Sequence, residues 1–540
     1  MASLFNITEY LFGCNRFSDR LLILGPDESL SYAQAYHRIV AVSAWLRSQK
    51  FSRNDNILLW ADNSAFFIIA YFGIMRAGCC CVPIDPRSDN VFLDQVIQLC
   101  RPSLGFVQPK YAAATEGLNI KICSDLSALP ACTDANLNPP ADTIDKDTAA
   151  ILFTSGSTGS PRGVMLSHAN ICYNTDDIVA FQGLTDADIH QVVLPFSYCF
   201  GASLLHTHLR VGAALVLNTR FMFPDTVPEL VEMYGCTGLS GVPAVYQILC
   251  RRSTFLRFKM PSLRFMAQAG GPLAQPFIEE ISNAFPEKAF YVMYGQTEAT
   301  ARLSYLPPEL IRTRPGSVGR GLAHTRLAVI DENGQPVSPG QEGEIVAFGP
   351  NIMLGYYQDP EATATRLNNA LVSAVTVHST SQREGVGGRA NGWHDSISPI
   401  PTSLRWGEGS ERRQRYAAPW RPSLNTGDLA TVDADGFIYI TGRRSGFIKS
   451  AGHRISPHRV EAAIAAWENV LEVAVVGVPD MLLGEAIKAI VVPRNRRQKL
   501  EPEAIIAWCR GHLPEYMVPR IVEISPGLPR NSSGKLVQKL

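Results

Sequence analysis

The chain has no surplus of either charge: lysine and arginine total 49, and aspartate and glutamate total 49. That balance gives no electrostatic reason to expect nucleic acid or an anionic membrane as a partner. Long apolar runs are also missing. The longest, Ala65 to Met75, is too short to span a bilayer, which takes about 20 residues. The start, Met1-Ala2-Ser3-Leu4-Phe5-Asn6, lacks the basic-then-apolar layout of a signal peptide. None of the twelve cysteines stands in Cys-x-x-Cys spacing, which argues against zinc. Cys79-Cys80-Cys81 sits in an apolar run and reads as buried small hydrophobes, and a reducing cytoplasm fits. What remains is 540 residues, 46% apolar and 18% charged, an ordinary soluble composition too long for one core. Two or more domains are expected.

Strands and helices alternate in the first hundred residues. Ser31 to about Lys50 reads as an amphipathic helix with Ser31 as N-cap, Ser64 to Ala77 as a second helix and Val91 to Cys100 as a third. Asn56–Trp60 and Cys80–Ile84 read as strands, so an α/β domain with a largely parallel sheet is expected. Further on, the apolar run Ala149–Phe153 reads as a buried strand. A helix is read from Leu166 to about Phe181, and strand-to-turn junctions at Val192–Pro195, Leu239–Val242, Phe265–Ala269 and Ala289–Tyr294.

The stretch Thr154-Ser155-Gly156-Ser157-Thr158-Gly159-Ser160-Pro161-Arg162-Gly163-Val164 follows the Ala149–Phe153 strand. Its composition suits a polyphosphate. Glycines let backbone N–H groups approach the anion, hydroxyls add donors, and Arg162 supplies charge. It is not a Walker A loop, because the Gly-Lys-Ser/Thr ending is absent. A plain Ser/Gly linker is the alternative, but linkers rarely sit between two apolar runs.

This loop resembles the phosphate-loop signature of the adenylate-forming superfamily, which includes acyl-CoA synthetases, adenylation domains of peptide synthetases, and luciferases. The usual residue at Arg162 is lysine. Tyr294-Gly295-Gln296-Thr297-Glu298, Thr426-Gly427-Asp428 and Pro529-Arg530-Asn531-Ser532-Ser533-Gly534-Lys535 match further motifs in the family's order. The resemblance implies a large N-terminal domain, 1–442, of mainly parallel sheets layered with helices plus a β-rich subdomain. A hinge at 443–446 and a small mobile α+β domain, 447–540, would follow. It implies that Thr154, Ser155, Gly156, Ser157, Thr158, Gly159 and Arg162 hold ATP phosphates. Gly270, Gly271, Tyr294 and Gly295 would lie along the adenine, with Asp428 at the ribose and Arg443 at the ribose or a phosphate. Thr297 would bond the α-phosphate and Glu298 bind Mg²⁺, an ion that takes one or two carboxylates plus phosphate oxygens. Lys535 would stabilise charge during adenylation. Lys449 and Gly452 would line the thiol approach.

Tyr198, Cys199, Val242, Pro243 and Gly270 are placed by the resemblance around the acid. Relatives that activate α-amino acids carry an aspartate near Cys199, and no aspartate stands between Val192 and Gly212 here. A buried ammonium without a partner is costly, so a non-amino carboxylic acid is favoured. Tyr198 and Phe200 could instead be plain core.

Two departures from the pattern are Ser445 at the hinge, where Asp or Lys is usual, and Arg459, where Glu is usual. A third is larger. From about Ala370 to Ser423 the sequence is rich in Ser, Gly, Arg and Pro and has little periodicity. It reads as a mistranslated piece, a tolerated surface loop, or a functional lid. The resemblance implies ATP-dependent formation of an acyl-adenylate, pyrophosphate release, and transfer to coenzyme A. A free-standing ligase loading a carrier protein in trans, and an inactive homologue disrupted by the insert, are the alternatives.

Overall fold

The computed structural model describes residues 5–25, 28–118, 120–130, 139–155, 161–368, 423–444, 446–451, 453–495 and 500–528. Helix starts are set by short polar side chains. Ser31 accepts from Gln34 N–H while the Gln34 side chain accepts from Ser31 N–H, so the helix Tyr32–Ser48 opens with a reciprocal cap. Ser64 caps Ala65–Arg76 and Asp89 caps Asn90–Cys100. The helix Ala65–Arg76 is buried along nearly its whole length. A helix apolar on every face has to be enclosed by protein or lipid, and here protein encloses it. Among the described residues no helix is long and apolar enough to cross a membrane.

Two large sheets do the enclosing. One has seven strands, in which Asn56–Trp60, Cys80–Ile84, Leu104–Val107, Lys121–Cys123 and Thr148–Ser155 run parallel. The other has nine, with a parallel centre of Ala214–Leu217, Ile189–Val192, Gly238–Gly241, Phe265–Gln268 and Ala289–Tyr294. Helices lie between them. One continuous apolar cluster takes in Ile57, Cys81 and Ala150 from the first sheet, Ile23 and Leu215 from the second, and Phe72 and Leu205 from helices. Each such large side chain contributes about 1.5–3 kcal/mol on burial. Cys79, Cys80 and Cys81 are all in this core region and buried, as expected from their apolar flanks.

Two five-stranded sheets complete the described chain. The first holds Arg326–Ile330, Glu342–Phe348, Leu367–Asn368, Ser423–Val432 and Ile438–Arg443. The second holds Ile448–Ser450, His453–Ile455, Val470–Asp480, Gly484–Pro493 and Ile521–Ile524, with helices Pro457–Ala465 and Pro502–His512. The expected α/β class with a smaller α+β portion is what the chain adopts.

Two differences from the sequence reading matter. Pro161–Ser167 is a strand antiparallel to Thr148–Ser155, and the helix starts only at His168, capped by Ser167. Pro161 and Gly163 hid that strand, since both are poor strand formers away from a sheet's special positions. The second difference concerns the odd stretch near 370–423. Its interior lies outside the described residues, but its ends are antiparallel neighbours, with Asn368 opposite Ser423 and Leu367 opposite Leu424.

Candidate functional site

The parallel strands of the nine-stranded sheet deliver their carboxyl ends to one edge, where α/β folds place ligands. Tyr294 ends one strand and Gln268 ends its neighbour. Gly241 ends the next, followed by Val242 and by Pro243, the first residue of a helix. Gly270 has φ +89°, a conformation L side chains rarely adopt, and it turns the chain so that Gly271 packs beside Pro243. Pro243, expected at the acid, and Gly271, expected along the adenine, are thereby neighbours.

After Tyr294 the backbone folds tightly. A Cβ at Gly295 would meet the Ala301 carbonyl oxygen at 1.9 Å, so only glycine fits. Thr300 has φ 67° and ψ −62°, and Ala301 N–H donates to Ala299 C=O at 2.8 Å. This is a γ-turn of the rare, strained hand, centred on a β-branched residue. The Thr300 hydroxyl donates to Asn351 C=O at 2.7 Å, and Asn174 and Asn351 amides donate to Arg302 C=O at 2.8 and 3.2 Å. The surroundings thus hold the bend in place. Thr297 and Glu298 lie before it and both are buried.

The polar groups form two sets, joined through Arg366 and the backbone of Asn425. Tyr294 donates its hydroxyl to Asp428 Oδ2 at 2.6 Å, and Arg443 Nε lies 3.0 Å from Asp428 Oδ1. Asp428 and Arg443 are direct partners on adjacent strands. Burial, reinforced by the Asp428 charge, pushes the Tyr294 phenol well up, so it remains a donor. Asp428 raises the Arg443 guanidinium from its ordinary value. Tyr356 donates to Glu298 Oε1 at 2.7 Å, and burial pushes its phenol up to about 12. Arg366 Nη2 lies 3.7 Å from Glu298 Oε1, and its Nη1 donates to Asn425 C=O at 2.9 Å. Arg366 therefore links Glu298 to the strand that carries Asp428.

Thr154 and the backbone of Ser155 pair with Arg162 and Pro161, so the ends of the predicted phosphate loop face each other across a hairpin. Arg162 stands 3.8 Å from Asp359 and over the Tyr356 ring. Gly156, Ser157, Thr158 and Gly159 lie outside the described residues. On the far wall, the helix Cys199–Val211 starts at Tyr198, with no side-chain cap. Cys199 Sγ is 3.4 Å from the Thr297 hydroxyl. The sequence expectations for Tyr198, Cys199, Thr297 and Glu298 thus fall on one locus. Lys449 is exposed, and its N–H donates to Glu485 at 2.6 Å. Gly452, Ser445 and Lys535 lie outside the described residues.

Three residues escaped the sequence reading. Tyr356 and Arg366 are far from Glu298 in the chain. Arg302 is fully buried beside Phe200, and its one sequence signal was a lone charge inside Ala299-Thr300-Ala301-Arg302-Leu303.

Glu298, with the Thr297 hydroxyl beside it, is a hard oxygen donor suited to Mg²⁺. Among the described residues no cluster of three or more His, Cys, Asp or Glu could cage a metal. An ion here would rest on one protein carboxylate, with phosphate and water completing its shell.

The profile of the AMP-binding enzymes matches residues 13–357, and that of the AMP-binding enzyme C-terminal domain matches residues 459–535. Feruloyl-CoA synthase from an Amycolatopsis species is 28% identical over 517 residues, 94% of this chain and 93% of its own length. Oxalate–CoA ligase from Arabidopsis thaliana is 28% identical over 550 residues, 97% of this chain and 95% of its own length. Among solved structures, ATP-bound MatB from Rhodopseudomonas palustris superposes with a TM-score of 0.79 at 24% identity, covering 99% of this chain and 97% of its own.

Proposed function

This chain belongs to the AMP-binding enzyme family, and on that premise we propose that it joins a carboxylic acid to a thiol in two half-reactions at the edge just described. It is an AMP-forming acid–thiol ligase of the acyl-CoA synthetase type. In the first half, a carboxylate oxygen attacks the α-phosphorus of ATP, and pyrophosphate leaves with the electrons of the broken P–O bond. In the second, a thiolate sulfur attacks the acyl carbonyl and AMP leaves. Little covalent work falls to the protein, so positioning and electrostatics dominate.

Each side chain has a task in that scheme. Asp428, held by Tyr294 and Arg443, accepts hydrogen bonds from the ribose hydroxyls. Thr297 donates to the α-phosphate, and its neighbour Glu298 binds Mg²⁺, which offsets phosphate charge when bound. Tyr356 and Arg366 keep Glu298 aimed. Tyr198, Cys199, Val242 and Pro243 enclose the acid. Lys535 acts in the first half-reaction, and Lys449 with Gly452 lines the thiol approach in the second, following rotation of 447–540 about 443–446. The acid is of fatty or aryl type and lacks an α-ammonium group, because no aspartate near Cys199 could pair with one. The thiol is that of coenzyme A, and the reaction takes place in the cytoplasm. The free state of every described cysteine fits that compartment.

The observation that carries this reading is the pair of polar sets, Tyr294–Asp428–Arg443 and Tyr356–Glu298–Arg366, linked through the Asn425 carbonyl and lying beside the Thr297–Cys199 contact. Pyrophosphate release from MgATP, measured across fatty, aryl and amino acids with and without coenzyme A, tests it. Release that depends on one non-amino acid class and rises with coenzyme A is expected. Preference for an amino acid, or acceptance only of a phosphopantetheine carrier, would replace this reading. Nucleotide binding without pyrophosphate release would mark an inactive homologue.

A further inference from the structure

Arg302 is among the largest fully buried side chains of the protein, with 2% of its surface exposed. Its backbone is anchored by Asn174, whose side chain accepts from Arg302 N–H at 3.1 Å and donates to Arg302 C=O at 2.8 Å. Its guanidinium is not anchored in that way. Nε has no hydrogen-bond partner, and no carboxylate among the described residues forms an ion pair with it. The nearby carboxylate Glu298 is already held by Tyr356 and Arg366. What Arg302 does touch is the acid wall: its Cζ stands 4.3 Å from the centre of the Phe200 ring, next to Tyr198 and Cys199. Phe200 lies in the first turn of Cys199–Val211, a 13-residue helix whose start no side chain caps. A helix start presents unpaired N–H groups and a positive end.

A guanidinium carries five donors in a fixed fork, and burying one with a single π contact and no anion is unfavourable. Burial lowers the Arg302 pKa to about 10, which leaves the group charged at neutral pH. The cation therefore stands beside the uncapped helix start, with no anion among the described residues paired to it. The spot adjoins Cys199, whose sulfur reaches Thr297, so it belongs to the acid side of the site.

We propose that Arg302, against the Tyr198–Cys199–Phe200 turn, is the counter-ion for a second anionic group on the acid substrate, so that the preferred substrate is a dicarboxylic acid. This rests on the acid-activating role proposed above. It narrows that role: the fatty or aryl acid carries a further carboxylate, which forks onto the guanidinium while the first carboxylate reacts. The same arrangement that leaves an ammonium without a partner supplies one to a carboxylate.

The test pairs acids that differ only in the second carboxylate: hexanoate with hexanedioate, and 4-methylbenzoate with terephthalate. Pyrophosphate release is measured for the wild type, Arg302→Met and Arg302→Lys, with thermal melting as a folding control. Wild type is expected to favour the diacid of a pair by at least about tenfold in kcat/KM. Removing one partner of a buried charge pair should cost a hundredfold or more (about 10²), so Arg302→Met should lose at least that much on the diacid and little on the monoacid. Arg302→Lys should recover part of the loss. Calorimetry of hexanedioate binding to the AMP-loaded protein should show the same order. Wild-type preference for monoacids, or an equal loss on both members of a pair in a folded Arg302→Met, would overturn the proposal and leave the ligase reading standing. Absence of release with every acid would defeat the ligase reading first, and unchanged hexanedioate binding in Arg302→Met would then separately remove the role of Arg302.

Discussion

Tyr294 and Asp428 meet at 2.6 Å although they belong to strands of two different sheets. The contact ties the nine-stranded sheet to the five-stranded sheet that carries Arg443, and it does so at the proposed nucleotide site. Replacing Asp428 by Ala leaves Tyr294 and Arg443 without their shared acceptor. Breaking such a buried, charged hydrogen-bonded group costs about 2–5 kcal/mol. ATP affinity should fall by roughly 30-fold or more on the same basis, with a lowered melting temperature. Calorimetry with ATP checks the first and thermal unfolding the second; unchanged ATP affinity would remove Asp428 from the nucleotide site.

Glu298→Gln keeps the shape and the bond from Tyr356 but removes the charge. Turnover should drop by about 10²–10³, the scale of losing one group that stabilises developing charge. The Mg²⁺ concentration for half-maximal rate should rise, while the melting temperature changes little. A variant with normal magnesium dependence would reassign Glu298 to a structural role.

The meeting of Asn368 and Ser423 leads to a third expectation. Residues 369–422 leave and re-enter between neighbouring strand positions. Replacing them by Asn-Gly, which favours a two-residue hairpin turn, should preserve activity within about threefold, since no residue placed in the site lies there. Stability should rise by about 3 kcal/mol, from about 0.6 kcal/mol per halving of loop length. Loss of pyrophosphate release in a deletion variant that still folds would give the stretch a catalytic part, as the lid alternative requires.

Buried imidazoles make the fold acid-sensitive. Burial lowers His168 to about 4, His206 to about 3 and His208 to about 4, and holds His190 well below its ordinary value. In the unfolded chain each binds a proton near pH 6.5, the ordinary value for histidine. Between about 6.5 and 4 the unfolded state therefore binds more protons, and stability falls as pH falls through that window. Each group contributes a slope of up to about 1.4 kcal/mol per pH unit. His324, raised by its bond to Asp177 and half exposed, acts in the opposite direction and weakly. Melting curves from pH 7.5 down to 5 should show the decline. His190→Leu should flatten it without losing a bond, because neither His190 ring nitrogen has a partner. A flat profile in the wild type would contradict the assignment.

Much of this architecture was legible because local signals and burial agreed. Ser31, Ser64 and the apolar Ala65–Met75 run pointed to elements that exist where expected, since capping and all-round burial are near-neighbour effects. The Pro161–Ser167 strand was not legible, because it exists only as the partner of Thr148–Ser155. In the site, Tyr294, Thr297, Glu298 and Asp428 could be named from motifs. Their partners Tyr356 and Arg366 could not, since both bonds to Glu298 cross more than fifty positions of chain. Arg302 was hidden for another reason: what singles it out is a missing anion, and an absent partner leaves no trace in a sequence.

The neighbouring positions of Asn368 and Ser423 also bear on assembly. A peptide bond is not needed to bring those positions together once the sheet has formed, because ladder hydrogen bonds and side-chain packing hold both ends. The protein is consequently divisible at this point. Two polypeptides ending near Asn368 and beginning near Ser423 would each carry part of the proposed nucleotide site, Glu298 on one and Asp428 on the other. Ligase activity would then report their reunion.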